Sequence, residues 1–311
     1  SISACQSVNY QAPTLLKATT SGHFTDVQIK YLTNDDSTTT SPYNGNMSVS
    51  IPQPVNISWE CNSKTTYYVG LYKDEGCLDL ITTYETSTTN FDFYNPLFNQ
   101  DYYVKVSIKD KKDTIYESAV VHFKETPTIS GPRNIYIDGV ENVRDIGGWG
   151  VITNNQYLTF MKQGMVYRSG RFNEDKTDQI VASISEKGLF EIKNHLKIKT
   201  EVDLRRTSTN EVGHLTNRSV LGDDVKYVQL PMAFGGNNIL TFQGKLSGDE
   251  YEYDNPQMIK QFFEVLADEN NYPIDFHCSI GKDRTGCLAY LLEGLLSFDL
   301  EIMHRDYMFT N

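Results

Sequence analysis

The sequence predicts an α/β domain with a mainly parallel sheet flanked by helices, preceded by a small all-β sandwich. Apolar and polar residues alternate up to about residue 125, strand and helix patterns alternate after about residue 134, and a proline- and glycine-containing segment separates the two regions. The 311 residues, 39% of them apolar, are enough for two packed cores. We therefore expect a sandwich over residues 1–125, a linker over 126–133 and an α/β domain over 134–311.

The first region has the period-2 pattern of half-buried antiparallel strands. Apolar side chains occupy every second position in two segments: Val55, Ile57 and Trp59, then Tyr102, Val104, Val106 and Ile108. Turn-forming clusters at 33–36 and 43–46 fit connections between strands. The early Trp, and Leu97 shortly before Tyr102, resemble a fibronectin type III or immunoglobulin-like module of about seven strands. Such a module serves as a spacer or cap in one interpretation, and in adhesion or sugar binding in another.

Strand and helix patterns alternate in the second region. Apolar residues at helical spacing predict one or two helices over 174–195 and another over 255–266. Short apolar runs predict buried strands at 200–204, 227–230 and 272–276. This alternation is typical of a mainly parallel sheet covered by helices.

The charge of the chain limits its partners. A net charge of −12 and a pI near 5.0 argue against broad binding to nucleic acid or to an anionic membrane surface. An anionic ligand must therefore be held in a local pocket. The sequence has no apolar run long enough to span a bilayer.

Cys5 is a candidate membrane anchor. Ile2-Ser3-Ala4-Cys5 resembles the end of a bacterial lipoprotein signal, whose cysteine is lipidated, although an ordinary cysteine near a frayed terminus is the alternative. This start and the polar sandwich favour an extracellular or cell-surface location, whereas a reactive thiol is easier to maintain in the reducing cytoplasm.

The five cysteines cannot all pair internally, because their number is odd. Cys61 and Cys77 form a disulfide in one interpretation and two free thiols in another. Cysteine and histidine do not cluster at zinc-binding spacing, so we predict no metal.

The stretch His-Cys-Ser-Ile-Gly-Lys-Asp-Arg-Thr-Gly at 277–286 lies between a predicted strand and a predicted helix. A loop that opens a helix directs backbone N–H groups and the positive end of the helix dipole at one point, which suits a phosphate. Gly281 and Gly286 permit the close backbone approach, and Arg284 can offer two oxygens a planar fork. The same positive field lowers the pKa of the Cys278 thiol and makes it a nucleophile.

His277-Cys278-x5-Arg284-Thr285 resembles the signature of the protein tyrosine phosphatase superfamily, in the form found in its bacterial tyrosine and phosphoinositide phosphatases. The stretches 139–148, 166–170 and 202–206 with Glu211 fit that branch in the same order. The resemblance implies the cysteine-phosphatase fold and a phosphomonoester hydrolase that uses a cysteinyl-phosphate intermediate and no cofactor. Its substrate would be phosphotyrosine in a protein or, alternatively, a phosphoinositide or inositol phosphate. Such domains often continue with further helices, so a longer native chain is one interpretation.

The resemblance also implies roles within the loop. Cys278 is the expected nucleophile, Thr285 the expected partner of its sulfur, and the phosphate-binding positions are Ser279, Ile280, Gly281, Lys282, Asp283 and Arg284. No Asp follows Pro231, where many relatives carry the general acid. The candidate acid is therefore Asp283, whose alternative role is to pin the loop, with Asp249 as a less favoured substitute. Lys282 either is a solvated surface residue or contacts a second phosphate.

Several charged residues of the neighbouring strands are expected to support the loop through buried ion pairs rather than to touch substrate: Arg144 with Asp145, Arg168, and Asp203 with Arg205. His277 is expected to orient the loop, and Cys287 to pack as a small apolar side chain or, alternatively, to act as a redox partner of Cys278. The alternative function of another class is a surface binding protein in which the sandwich is the working module.

Overall fold

The computed structural model describes residues 9–34, 47–173, 183–206, 217–233 and 255–310, and the backbone of 244–245 and 252–253. The chain forms two compact units, which are described separately. One unit comprises Ser1–His23 and Gln53–Thr126, and the other comprises Phe24–Pro52 and Pro127–Asn311.

The first unit is a β-sandwich, as the sequence predicts. Its strands are β1 (Thr14–Thr20), β2 (Val55–Glu60), β3 (Tyr67–Tyr72), β4 (Leu80–Thr86), β5 (Asn90–Phe93), β6 (Asp101–Lys109), β7 (Ile115–Glu117) and β8 (Val121–Lys124). One sheet has the order β1-β2-β5 and the other β4-β3-β6-β7, with β8 also paired to β6. The alternating residues of β2 and β6 point into the shared core, where all seven of the predicted apolar side chains are buried.

Two details of this unit bear on the sequence predictions. The backbone N–H of Leu97 donates to the hydroxyl of Tyr102 at 2.8 Å, so the two residues that carried the resemblance to a fibronectin type III module are in direct contact. Cys61 and Cys77 are half-buried free thiols, so the free-thiol interpretation holds.

Residues 24–52 belong to the second unit, whereas the sequence analysis assigned them to the sandwich. They contain α1 (Asp26–Leu32), whose N-terminus is closed by a capping box between Thr25 and Gln28. The hydroxyl of Tyr31 donates to the carbonyl of Arg305 at 2.8 Å, and a guanidinium nitrogen of Arg305 donates to the carbonyl of Tyr31 at 2.9 Å. Of the predicted turn at 33–36, residues 33 and 34 directly follow this helix, and residues 35–36, like 43–46, lie outside the described part of the chain.

The second unit contains the predicted mainly parallel sheet. Its strands are β9 (Arg133–Asn134), β10 (Arg144–Asp145), β13 (Val166–Ser169), β14 (Thr200–Asp203), β15 (Lys226–Gln229) and β18 (Ile274–His277), in the order β15-β14-β18-β13-β10-β9. The pairings β15–β14, β14–β18 and β18–β13 are parallel, whereas β10 is antiparallel to β13 and β9. The described residues also include two antiparallel strand pairs, β11 (Gly150–Thr153) with β12 (Gln156–Thr159) and β16 (Gly244–Lys245) with β17 (Glu252–Tyr253).

The helices of this unit are α2 (Glu186–Phe190), which continues as a π-helix over Glu191–Leu196, α3 (Asn255–Ala267), α4 (Arg284–Leu295) and α5 (Leu300–Met308). The predicted strands and the helix at 255–266 lie within a few residues of their predicted bounds. Of the predicted helical segment 174–195, residues 174–182 are outside the described part. Among the described helices, none has the length and hydropathy needed to cross a membrane.

Candidate active site

The loop formed by residues 278–284, here called the phosphate loop, joins β18 to α4. All four residues of β18 are buried, and the strand pairs in parallel with β13 on one side and β14 on the other. The loop therefore leaves the carboxyl end of an interior strand, which is the usual position of ligand sites in open α/β sheets. Its last residue is the first of a twelve-residue helix, so the positive end of the helix dipole faces the loop.

Cys278 lies at the base of this loop and is 3% exposed. Burial alone would raise the pKa of its thiol, but the guanidinium of Arg284, the hydroxyl of Thr285 and the backbone N–H groups of Thr285 and Gly281 outweigh it and lower the pKa. The sulfur is thus stabilised as a thiolate, the form that is nucleophilic.

The carbonyl oxygens of the phosphate loop are bound by donors from neighbouring segments. The side-chain amide of Asn142 donates to the carbonyls of Ile280 at 3.0 Å and Gly281 at 3.2 Å. Arg168 donates to the carbonyl of Gly281 at 2.9 Å, and the backbone N–H of Arg171 donates to that of Ser279 at 3.0 Å. Because N–H and C=O point in opposite directions across a trans peptide, carbonyls anchored on one side turn N–H groups to the other.

Asn142 and Arg171 were not selected as site residues from the sequence. Asn142 lies within the quoted stretch 139–148, and Arg171 follows the quoted stretch 166–170 directly. Both residues therefore lie within or beside the segments that resemble the family. Nothing about an uncharged amide or a further arginine in the sequence indicated that they contact the phosphate loop.

The expected ion pairs of Arg144 and Asp145 are present, but with partners other than each other. Arg144 Nε lies 3.1 Å from Asp306, and Asp145 lies 2.7 Å from a guanidinium nitrogen of Arg133. Consecutive residues of a strand point to opposite faces, so Arg144 and Asp145 cannot meet. Arg168 also pairs with Asp306, at 2.7 Å.

Asp203 and Arg205 do pair with each other, at 2.6 Å and with both side chains buried. Burial alone would raise the pKa of the Asp203 carboxyl, but Arg205 and His277 hold it well below its usual range. The hydroxyl of Tyr227 donates a further hydrogen bond to this carboxylate at 2.5 Å.

His277 is oriented by contacts on both ring nitrogens. Nδ1 lies 3.0 Å from the carbonyl oxygen of Cys278, and Nε2 lies 2.7 Å from Glu201. Burial alone would lower the pKa of His277, but the carboxylates of Asp203 and Glu201 raise it to about 9. The ring is therefore an imidazolium at neutral pH, with two N–H donors.

Glu201, Asp203 and His277 place potential metal-ligand atoms within 4.8 Å of one another. An imidazolium has no lone pair for a metal, and Glu201 also accepts a hydrogen bond from the hydroxyl of Ser219. The geometry therefore fits a hydrogen-bonded charge cluster. Glu201 precedes the quoted stretch 202–206 and was missed from the sequence.

Lys282 and Asp283 are both half-buried. Within the described residues, neither side chain makes a hydrogen bond or ion pair, and the carboxylate of Asp283 does not cap α4 although it is the N-cap residue. The alternative role of Asp283, to hold the loop through hydrogen bonds of its own carboxylate, is thus not seen among the described residues. Asp249 and Glu211 lie outside the described residues.

Thr285 and Cys287 occupy the first turn of α4, and both are buried. The hydroxyl of Thr285 is among the groups that lower the pKa of the Cys278 thiol. Burial raises the pKa of the Cys287 thiol to about 11, and the two thiols are unpaired. Cys287 is therefore a neutral packing side chain in this state.

A known protein family matches the second region of the chain. The family model described as tyrosine phosphatase family matches residues 135–311. Inositol diphosphatase DSP2 of Arabidopsis thaliana is 37% identical over 51 residues, which are 16% of this chain and 20% of that protein. The chain thus matches about a fifth of the length of this relative.

Solved structures resemble each half of the chain at low similarity. The core catalytic domain of the PP-IP phosphatase SIW14 from S. cerevisiae, in complex with citrate, has 19% identity and a TM-score of 0.29 over 46% of this chain and 68% of its own. A human fibronectin type III domain has 13% identity and a TM-score of 0.25 over 40% of this chain and 94% of its own.

Proposed function

The chain belongs to the tyrosine phosphatase family, and on that premise we propose that residues 134–311 hydrolyse phosphomonoesters through a cysteinyl-phosphate on Cys278. The observation that carries this proposal is the environment of Cys278. Its buried thiol has a lowered pKa and lies in a loop that leads into the N-terminus of α4, beside Arg284. The nucleophilic thiol of Cys278 therefore lies next to groups that can bind an anion, namely Arg284 and the N-terminus of α4.

The proposed reaction has two steps. In the first, the Cys278 thiolate attacks phosphorus in line, an S–P bond forms, and the bond from phosphorus to the leaving oxygen breaks while that oxygen takes a proton. In the second, water attacks phosphorus and gives a proton back to the group that acted as the acid, the S–P bond breaks, and inorganic phosphate leaves. The thiolate is regenerated, and the hydroxyl of Thr285 stabilises its charge.

Arg284 and the N–H groups of the phosphate loop stabilise the transition state in this mechanism. Arg284 is 3% exposed, and one of its nitrogens donates to the carbonyl of Leu204 at 3.3 Å, which orients the guanidinium. Charge spreads over the three equatorial oxygens during phosphoryl transfer, so a fixed set of donors is more effective than mobile water.

Asp283 is the proposed general acid. Its carboxylate is next to Arg284, is half-buried and has no hydrogen-bond or ion-pair partner among the described residues. A carboxyl group without a structural partner remains available to donate a proton to the leaving oxygen.

Phosphotyrosine in proteins is the proposed substrate, in keeping with the family to which the chain belongs. Inositol phosphates or phosphoinositides are the second candidate, because Lys282 offers a cation within the phosphate loop, and its side chain has no partner among the described residues. The similarity to an inositol diphosphatase supports the same candidate.

Release of phosphate from an aryl phosphate by wild type, Cys278→Ser and Cys287→Ser tests the proposal. We expect Cys278→Ser to abolish turnover, because a serine hydroxyl is not ionised at neutral pH. Cys287→Ser is the matched control and should retain turnover, since Cys287 is a neutral packing residue. Absence of turnover in wild type, or equal turnover in Cys278→Ser, would contradict the mechanism.

A panel of phosphotyrosine peptide, phosphoinositides and phytate tests the substrate. Activity on phytate alone would exclude phosphotyrosine. The cell-surface location, the lipid on Cys5 and a binding role for the sandwich stay predictions. Cys5 lies outside the described residues, and intact-mass analysis of the native protein would detect its lipid.

A further inference from the structure

Asp306 lies on α5, far from the phosphate loop in sequence, and is 1% exposed. Its carboxylate accepts hydrogen bonds from three buried side chains: Arg144 Nε at 3.1 Å, Arg168 at 2.7 Å and Trp149 Nε1 at 3.0 Å. These donors come from β10, β13 and the turn after β10, so one carboxylate connects three segments of the unit.

Hydrogen bonds also connect both arginines to the phosphate loop. Arg168 donates directly to the carbonyl of Gly281 at 2.9 Å. Arg144 donates to the side-chain oxygen of Asn142 at 2.6 Å, and the Asn142 amide group donates to the carbonyls of Ile280 and Gly281. The two routes therefore end on adjacent peptide groups of the loop.

The anchored carbonyls determine where the loop N–H groups point. The carbonyl of Ile280 belongs to the same peptide group as the N–H of Gly281, and the two point in opposite directions. That N–H is one of the donors that lower the pKa of Cys278. Holding the Ile280 carbonyl in place thus directs a donor at the nucleophile.

Asp306 also supplies the negative charge of this cluster. Burial alone would raise its pKa, but Arg144 and Arg168 hold it well below its usual range. Glu293 on α4 faces the same group, and its pKa is raised well above the usual range by burial and by Asp306. Burial and Asp306 therefore favour the neutral form of Glu293, and Asp306 is the carboxylate that pairs with both buried arginines.

We propose that Asp306 is a positioning residue of the phosphate loop, acting through Arg144, Arg168 and Asn142 to hold the carbonyls of Ile280 and Gly281. In this proposal Asp306 acts through these side chains and not by binding substrate. For its effect on turnover this inference rests on the proposed function, whereas its effect on the reactivity of Cys278 does not.

The test measures the pH dependence of Cys278 alkylation by iodoacetamide in the full chain, with the labelled peptide quantified by mass spectrometry. Asp306→Asn is compared with wild type and with Asp299→Asn, an exposed carboxylate at the start of α5 that makes no capping bond. We expect Asp306→Asn to raise the apparent pKa of Cys278 by about half a unit to one unit. The alkylation rate below that pKa should fall about 3- to 10-fold, and Asp299→Asn should match wild type.

Turnover gives a second measurement. We expect kcat of Asp306→Asn on an aryl phosphate to fall about tenfold or more, since misplaced donors stabilise the transition state poorly. A folded Asp306→Asn protein with the wild-type thiol pKa would overturn the inference, even if its stability is reduced. A raised thiol pKa in a protein whose wild type hydrolyses no phosphate would leave the positioning role standing and refute the proposed function.

Arg168→Lys decides the question if Asp306→Asn does not fold. This change keeps a buried positive charge beside Asp306 but removes the guanidinium group that joins Asp306 to the carbonyl of Gly281. We expect a smaller rise in the thiol pKa in the same direction. An unchanged thiol pKa in folded Arg168→Lys would then overturn the inference.

Discussion

Gly281 packs directly against the carbonyl oxygen of Ser169, at the carboxyl end of β13. A Cβ atom added to Gly281 would stand 2.4 Å from that oxygen, closer than real Cβ contacts occur. The residue also has a φ of +73°, which favours glycine. The phosphate loop can therefore keep its path only if position 281 has no side chain.

Replacing Gly281 by alanine should displace the loop from Ser169. Displacement misplaces the Gly281 N–H that acts on Cys278, so we expect kcat/KM on an aryl phosphate to fall about 100-fold or more. Gly22→Ala is a matched control, because Gly22 has a φ of +80° but nothing within 4 Å of the added Cβ. Similar kcat/KM in the two variants would show that the contact with Ser169 is unimportant.

Asp283→Asn should lower activity in a way that depends on the leaving group. A leaving oxygen whose conjugate acid has a high pKa needs a proton to depart. Loss of a general acid should therefore lower kcat on phenyl phosphate about 10²- to 10⁴-fold. p-Nitrophenyl phosphate has a much better leaving group and should lose far less. Asp223→Asn, at an exposed position, should behave as wild type. Equal losses on both substrates would point to a structural role for Asp283.

Lys282→Met should separate the two candidate substrate classes. If Lys282 contacts a second phosphate, KM for an inositol polyphosphate should rise about 3- to 10-fold, the effect of losing roughly 1 kcal/mol of partly screened attraction. KM for a singly phosphorylated tyrosine peptide should change little, and Lys282→Arg should keep most of the discrimination. Equal changes in KM for both substrates would argue against such a contact.

Asp275 should make the stability of the protein fall with rising pH. It is fully buried on β18, and although the hydroxyl of Ser169 donates to one of its oxygens at 2.9 Å, the other oxygen has no partner among the described residues. Burial raises its pKa to about 7, although His277 and Ser169 oppose this and Glu201 and Asp203 add to it. The unfolded value is about 3.9, so the native state binds the extra proton between these pH values and is destabilised as the pH rises through them.

Asp275→Asn removes this proton equilibrium. We expect the variant to be more stable than wild type at pH 8 by up to about 4 kcal/mol, the linkage value of a pKa moved from about 3.9 to about 7, with the gain shrinking as the pH falls towards 4. Urea unfolding at several pH values measures the difference, and Asp223→Asn, which is exposed, should show no such trend. A gain that is independent of pH would contradict the assignment.

Much of the fold and the centre of the site were predictable because their signals are local. The alternation in β2 and β6 and the helical spacing in α3 follow from the regular side-chain direction within a strand or a helix. A short window of sequence is therefore enough to predict these elements. Cys278, Arg284 and Thr285 lie in one short stretch, 278–285, so their association needed no knowledge of the fold. The path of residues 24–52 was not predictable, because the contact between Tyr31 and Arg305 joins positions 274 residues apart.

The sequence by itself determined the sandwich, the α/β layer and the place of residues 277–286 between a strand and a helix. Only the tertiary structure decided which charges meet: Arg144 with Asp306, Asp145 with Arg133, and Glu201 with His277. A buried charge requires a partner, and the sequence shows that requirement. The order of the strands and the packing of the helices decide which oppositely charged side chain lies close enough to pair. That arrangement exists only in the folded chain.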